Sequence, residues 1–456
     1  MHDPATQSVL FPDLADKPVI ARFDEPWTSS DGGLIHLQAI DQELQLTEQL
    51  ADLLPDPRDS SQVEQSHHDL LRQRIYGLAC GYEDANDAGR LRSDPLFRLA
   101  LDRDPVDGLE LGSQPTISRF ENRVRRSDLM RVATRLLESV LDRQRERRGD
   151  HPRRITIDLD STADPTHGNQ QLSFFNAYYD TWCYLPLLAF AQFDDEPEQF
   201  LLTALLRPGK ANDRHGFVAV LRRVLMAVIE RFPRSELLVR VDAGFVESGV
   251  LDFLEAAGIL YTMAVPSNSV LAKGATKKME KVRRRAERTG ETAKAYGAMY
   301  YQAGSWAKRR RVIYKAEVTC IDDRTPRDNA RYVVTNLRWK AEDVYRFYCQ
   351  RGDSENRIKE LKLELGLART SAHRFEANQL RVLMSVAAYV LLQELRSRLA
   401  GTRLAQAQTG RIRTMLIKIA ARVERSARRI VVHLAKDHPA RTDWLQLALA
   451  VGAVPT

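Results

Sequence analysis

The stretch Arg154-Ile155-Thr156-Ile157-Asp158-Leu159-Asp160-Ser161-Thr162 decides the fold. Apolar and polar residues alternate along it and β-branched residues are frequent, so it reads as a strand. Working outward, residues 173–179, 184–193 and 200–206 read as three more strands in an antiparallel-type run. Residues 217–232 form an amphipathic helical pattern. Residues 236–241 are an apolar strand ending at Asp242-Ala243-Gly244, followed by a helix over 250–257 and a strand over 260–265.

A run of antiparallel-type strands followed by α-β-α-β, which contains the order β-β-β-α-β-α-β, predicts an α/β protein with an RNase-H-like core. Beyond it lie a long basic segment, strands at 311–319 and 332–335, and a helix beginning near Lys340. Upstream, residues 1–30 carry Pro4, Pro12, Pro18 and Pro26 and read as loosely structured. Residues 68–80 read as a helix. Ser113-Gln114-Pro115-Thr116 starts another, with Ser as cap and Pro in the first turn. That helix presents Thr116, Ser118, Arg119 and Arg123 either to a DNA groove or to solvent within an ordinary helical bundle.

The 456 residues allow two to four domains, and a 43% hydrophobic content supports a sizeable core. No apolar run approaches the ~18–20 residues that span a bilayer. The N-terminus has no basic and apolar leader pattern, so a cytoplasmic protein with no membrane contact is expected. Cys80, Cys183, Cys320 and Cys349 lie far apart, which argues against a zinc ribbon or disulfide framework and for buried, reduced thiols. The net charge of +7 is unevenly spread. Residues 271–315 hold 14 Lys and Arg against three acids, and residues 396–441 hold 12 against two. Such segregation suits phosphate-binding surfaces, although one basic run alone is equally a solvated helix face.

Three carboxylates stand out by position: Asp160 and Asp242 at strand ends, and Glu355 on the late helix. Gathered together they need a cation, and hard oxygen donors select Mg²⁺, with Mn²⁺ as substitute. Two such ions can activate an attacking oxygen and stabilise a leaving one in phosphoryl transfer. Asp158 shares a face with Asp160 and is a rival first ligand. On the late helix, Tyr348, Arg351, Glu355 and Lys362 are spaced by 3, 4 and 7 and share one face. A polar stripe of this kind suits a wet groove in which Arg351 and Lys362 grip phosphate.

At these residues the sequence resembles the DDE transposases of bacterial insertion sequences. Tyr348, Arg351, Glu355 and Lys362 match the Y-R-E-K signature of one large group, and Asp160-Ser161-Thr162 resembles its first-Asp motif. Within that group the chain is similar to the insertion-sequence family numbered thirteen-eighty. The likeness is carried by Thr28-Ser29-Ser30-Asp31-Gly32-Gly33, by residues 94–100 and 114–122, and by Asp164-Pro165-Thr166-His167-Gly168. The resemblance implies a catalytic core interrupted by an insertion. The expected regions are a helical DNA-binding part (1–150), the core in two pieces (151–265 and 337–395), a basic β-rich insertion (266–336) and a basic helical C-terminal part (396–456).

The resemblance also implies a homodimer that binds terminal inverted repeats and target DNA. It would cleave and join strands with Asp160, Asp242 and Glu355 as metal-holding catalytic residues. Relatives that form hairpin ends stack an aromatic from the insertion on a flipped base. Trp306, beside Arg309 and Arg310, is the candidate and Trp339 the runner-up; a packing role for Trp306 is the alternative. His167 and the Lys210/Arg214/His215 loop are further candidate phosphate contacts. Two rival functions remain: a metal-dependent nuclease of the same fold, and a transposase-derived DNA-binding protein without catalysis.

Overall fold

The computed structural model describes residues 8–149, 151–212, 215–320 and 325–455. They fall into two compact units: residues 45–58 with 118–393, and the described residues of 1–44, 59–117 and 394–456. In chain order the first elements are β1 (Val9–Phe11), β2 (Val19–Ala21), β3 (Thr28–Ser29), α1 (Leu34–Leu44), α2 (Leu46–Ala51), α3 (His67–Cys80), α4 (Ala88–Leu91), α5 (Pro95–Ala100), α6 (Gln114–Glu121) and α7 (Arg126–Arg148). The middle of the chain forms β4 (Arg154–Ser161), β5 (Asp164–Pro165), β6 (Phe174–Asn176), β7 (Thr181–Tyr184), β8 (Leu187–Phe193), β9 (Gln199–Leu205), α8 (Phe217–Arg231), β10 (Glu236–Val241), α9 (Ser248–Ala256) and β11 (Leu260–Val265). Then follow α10 (Ser269–Thr289), β12 (Ala293–Tyr301), β13 (Arg310–Thr319), β14 (Arg327–Thr335), α11 (Ala341–Cys349), α12 (Gly352–Glu364) and α13 (Phe375–Ser397). The chain closes with α14 (Thr409–Ile412), β15 (Ala421–Arg425), β16 (Ile430–Leu434) and α15 (Arg441–Ala450).

The unit formed by the two ends of the chain is mostly helical. Ser66 caps α3 in a reciprocal box with Asp69. The Asp31-Gly32-Gly33 turn lies against residues 416–421: Gly32 and Gly33 donate backbone hydrogen bonds to Ile419 and Ile417. A Cβ on Gly33 would sit 1.8 Å from the Leu416 carbonyl oxygen, so only glycine fits. The C-terminal region, expected to be helical, also contains a hairpin, β15–β16, that pairs with β3. The β-branched run Ile430-Val431-Val432 favours strand over helix. α7 packs against β9 and belongs to the other unit.

That larger unit is built on an eight-stranded mixed sheet in the order β12-β13-β14-β11-β10-β4-β8-β9. β4, β10 and β11 run parallel, β8 lies antiparallel beside β4, and β9 lies antiparallel beside β8 at the sheet's edge. Ile155, Ile157 and Leu159 are fully buried, as is Asp158 on the opposite face, so β4 is covered on both sides. The segment 266–336, expected to be a mostly β insertion, instead begins with the 21-residue α10, and its three strands continue the main sheet. α10 buries Leu271, Ala275, Met279, Val282 and Ala286 and turns Lys277, Lys281, Arg284, Arg285 and Arg288 outward. This 4-4-3-4 apolar spacing is the helical signal beneath the charge.

One ion pair lies at the centre of the sheet. Arg240 grips both carboxylate oxygens of Asp158 at 2.7 Å, with side-chain exposures of 0% and 1%. The two residues are also register partners between β10 and β4. Removing one member of a buried pair strands the other and costs about 3–5 kcal/mol. We expect Arg240→Met to lower the urea-unfolding free energy by about that amount, and Arg240→Met/Asp158→Leu to recover at least half of the loss.

Candidate active site

Asp158 and Asp160 face the same side of β4; Arg240 lies in β10, and Asp242 follows directly after that strand's last residue, Val241. The register pairs Arg240 with Asp158 and Val241 with Leu159, so the next step along brings Asp242 level with Asp160. Asp158 is consumed by Arg240 and by Gln199, whose side chain donates at 2.8 Å. Asp160 is therefore the residue of the pair left to the site. Its Oδ1 accepts from the Ser161 backbone at 2.9 Å, and Asp242 Oδ1 accepts from Ala243 at 2.8 Å.

The Arg351 guanidinium stands among all three carboxylates. It lies 2.9 Å from Asp160, 3.3 Å from Glu355 and 3.9 Å from Asp242. Arg351 sits at the junction of α11 and α12 with helical backbone angles, so the shared helical face continues across the break. The Tyr348 hydroxyl donates to Asp242 at 3.3 Å. Lys362 donates to the Ala163 carbonyl at 2.7 Å, just beyond β4. Ser354, which carried no sequence signal, is buried and donates to the Arg351 carbonyl at 2.8 Å, beside Asp160 at 3.4 Å.

The electrostatics follow from burial. Desolvation pushes the Asp160 carboxyl up to about 6; Arg351 opposes the shift, while the charges of Asp242 and Glu355 add to it. Burial and the Asp242 carboxylate push Tyr348 up to about 12. For Arg351 burial works against the charge, but Asp160 and Asp242 outweigh it and raise its pKa.

The other candidates do not join this cluster in the same way. Trp306, the candidate stacking ring, is 6% exposed and packs edge-on against Tyr301 at 5.5 Å. Arg310 is buried and spent on Asp252 and Glu255, so it is not a free phosphate contact. The half-buried Trp339 has the Arg154 guanidinium 4.6 Å over its ring. Arg309, Arg119, His167, Lys210 and His215 are exposed. Arg214 lies outside the described residues. Cys80 and Cys183 are buried free thiols as expected, but Cys349 is exposed.

Sequence reading missed a second buried acid. Asp164, 1% exposed, accepts from the Thr370 hydroxyl at 2.6 Å, and its other oxygen has no hydrogen-bond partner. Burial lifts its carboxyl to about 7, against the opposing pull of Thr370 and Lys362. The residue lies in a quoted motif, but nothing local shows that its side chain is enclosed.

Among the described residues no group of three or more His, Cys, Asp or Glu side chains is close enough to hold a metal ion. The donor chemistry nevertheless fits a hard divalent cation. All three side chains offer only oxygen, and all three already face one positive group. The three carboxylates come from distant parts of the chain and meet at the ends of a parallel strand pair. The chain belongs to the transposase DDE domain group 1 family, whose model matches residues 11–453, nearly the whole sequence. It is thereby a member of a family of DNA-transposing enzymes. A comparison with curated proteins gave no match. Among the described residues no helix is long and apolar enough to cross a membrane.

The Asp164 shift has a sign that can be measured. Its folded pKa of about 7 lies above the ordinary 3.8, so its contribution to stability is full below about 3.8 and is lost as pH rises through 7. Asp164→Asn keeps an oxygen for Thr370 and removes the titration. Its stability relative to wild type, from urea melts, is expected to rise by about 2–3 kcal/mol between pH 5 and pH 8.

Proposed function

We propose that the protein is the transposase of a bacterial insertion sequence, acting in the cytoplasm as a homodimer on terminal inverted repeats and target DNA. The observation that carries this reading is the meeting of Asp160, Asp242 and Glu355 around Arg351. The sheet order, with β4 flanked by β10 and β11 on one side and β8 and β9 on the other, supports an RNase-H-like core. The Y-R-E-K spacing supports membership of that signature group, and the quoted N-terminal stretches support the insertion-sequence family numbered thirteen-eighty.

The three carboxylates would hold one or two Mg²⁺, or Mn²⁺ in substitution. Bound there, the ion supplies activation of an attacking oxygen and neutralisation of the charge on phosphate. The chain's own groups do the rest. Arg351, once its carboxylates have another counter-charge, has a planar fork free for two phosphate oxygens. Lys362, held at Ala163, offers a point charge to the same backbone. Tyr348 keeps its proton at neutral pH and donates it as a hydrogen bond at Asp242. The outer face of α10, with Arg309 nearby, supplies basic surface for flanking DNA, as Arg119 and His167 do elsewhere. Cleavage frees a 3′-hydroxyl, which is then joined to target DNA by a second in-line transfer; a hairpin intermediate is one route for the other strand.

The test is excision and insertion of the element in cells. Asp160→Asn, Asp242→Asn and Glu355→Gln are each expected to lower the frequency at least about 1,000-fold while leaving DNA retention in a gel intact. A frequency unchanged in Asp242→Asn would remove the catalytic assignment. Mg²⁺ is expected to raise the thermal midpoint of wild type and to lose that effect in Asp160→Asn or with EDTA present.

A further inference from the structure

Immediately after the first catalytic strand the chain leaves the main sheet and builds a small one of its own, β5-β7-β6. The β6–β7 hairpin reads Phe174-Phe175-Asn176-Ala177-Tyr178-Tyr179-Asp180-Thr181-Trp182. Its inner side is tightly seated: a Cβ on Gly209 would lie 2.2 Å from the Cys183 carbonyl oxygen. Its outer side is aromatic and open. Tyr178 is 87% exposed, Trp182 57%, Phe175 47% and Tyr179 37%. Phe175 and Trp182 are direct cross-strand partners, and Tyr178 and Tyr179 meet edge to face at the tip.

This hairpin is held in shape. The Asn176 side chain accepts from the Tyr178 and Tyr179 backbones at 3.0 and 3.3 Å and donates to the Gly209 carbonyl at 3.0 Å. Asp180 takes the left-handed backbone that closes the turn (φ 49°). Its root is tied to the active site. β5 starts four residues after Asp160, Lys362 grips Ala163, and Thr370, beyond α12, bonds Asp164. Clustered exposed rings are costly in water and mark a surface with a partner.

We propose that this hairpin is a stacking platform for unpaired nucleobases of the DNA beside the scissile phosphate. The inference rests on the DNA reading above and adds a site to it. Rings rather than aliphatic side chains form the face, and every base offers a π-face to stack on them. Cationic groups lie near it: Lys210 sits 4.5 Å over the Phe174 ring on the reverse face of the hairpin, and His167 is exposed at the root. Continuity with the carboxylate cluster places bound bases next to the bond to be broken. Strand separation at a transposon end exposes such bases, and the platform would hold them away from re-pairing.

The test measures binding of a labelled 12-nucleotide single-stranded oligothymidine and of a 12-base-pair duplex to the full chain by fluorescence anisotropy. Tyr178→Ser and Trp182→Ala are each expected to weaken single-strand binding about five- to a hundredfold and to change duplex binding less than about twofold. Trp182→Phe is expected to restore most of the loss. Tyr178→Ser, at the open tip, keeps the test valid if Trp182→Ala fails to fold. Unchanged single-strand binding in both variants, or an equal loss on both probes, overturns the platform while leaving the transposase reading intact. Failure of wild type to bind either probe overturns both. A change of dimer to monomer in either variant, seen by light scattering, assigns the face to a second copy of the chain and overturns the platform as well.

Discussion

The buried bond between Arg240 and Asp158 is the constraint on which the site depends. Two charges removed from water are tolerated only when each satisfies the other, and here both carboxylate oxygens meet the guanidinium. Because the two residues are register partners on adjacent parallel strands, a slip of one residue would separate them. The register that keeps them together also sets Asp160 and Asp242 level, two residues further along each strand. A buried ion pair thus sets the level of two carboxylates.

Beyond that pair the ends of β4 and β10 carry a problem of unbalanced negative charge. Asp160, Asp242 and Glu355 share one guanidinium, and burial already makes ionisation of Asp160 expensive. A site with three acids around one arginine is poised for a stronger counter-charge. Asp164 deals with enclosure differently: with a pKa near 7 it can stay neutral, bonded to Thr370, behind the strand that carries Asp160.

The basic segments illustrate how charge hides structure. In α10 five buried apolar residues at helical spacing are outnumbered by lysine and arginine, so the segment reads first as a charge run. Arg309 and Arg310 are neighbours in one basic cluster, yet one is exposed and the other is locked between Asp252 and Glu255. Residue type alone could not separate them, since the carboxylates lie more than fifty positions away in sequence.

The sequence by itself determined the strand-and-helix order of the core, because alternation and helical periodicity are local properties of the chain. It also determined that Tyr348, Arg351, Glu355 and Lys362 share one face, since spacing along a helix fixes which side chains share a side. Tertiary structure alone gave Asp158 and Asp160 different partners, because Arg240 arrives from another strand to pair with Asp158. It alone buried Trp306, enclosed Asp164, added β12–β14 to the main sheet and paired β15 with β3. These outcomes are contacts between residues far apart in the chain, and no local pattern encodes which distant group will arrive to bury, pair or neutralise a side chain.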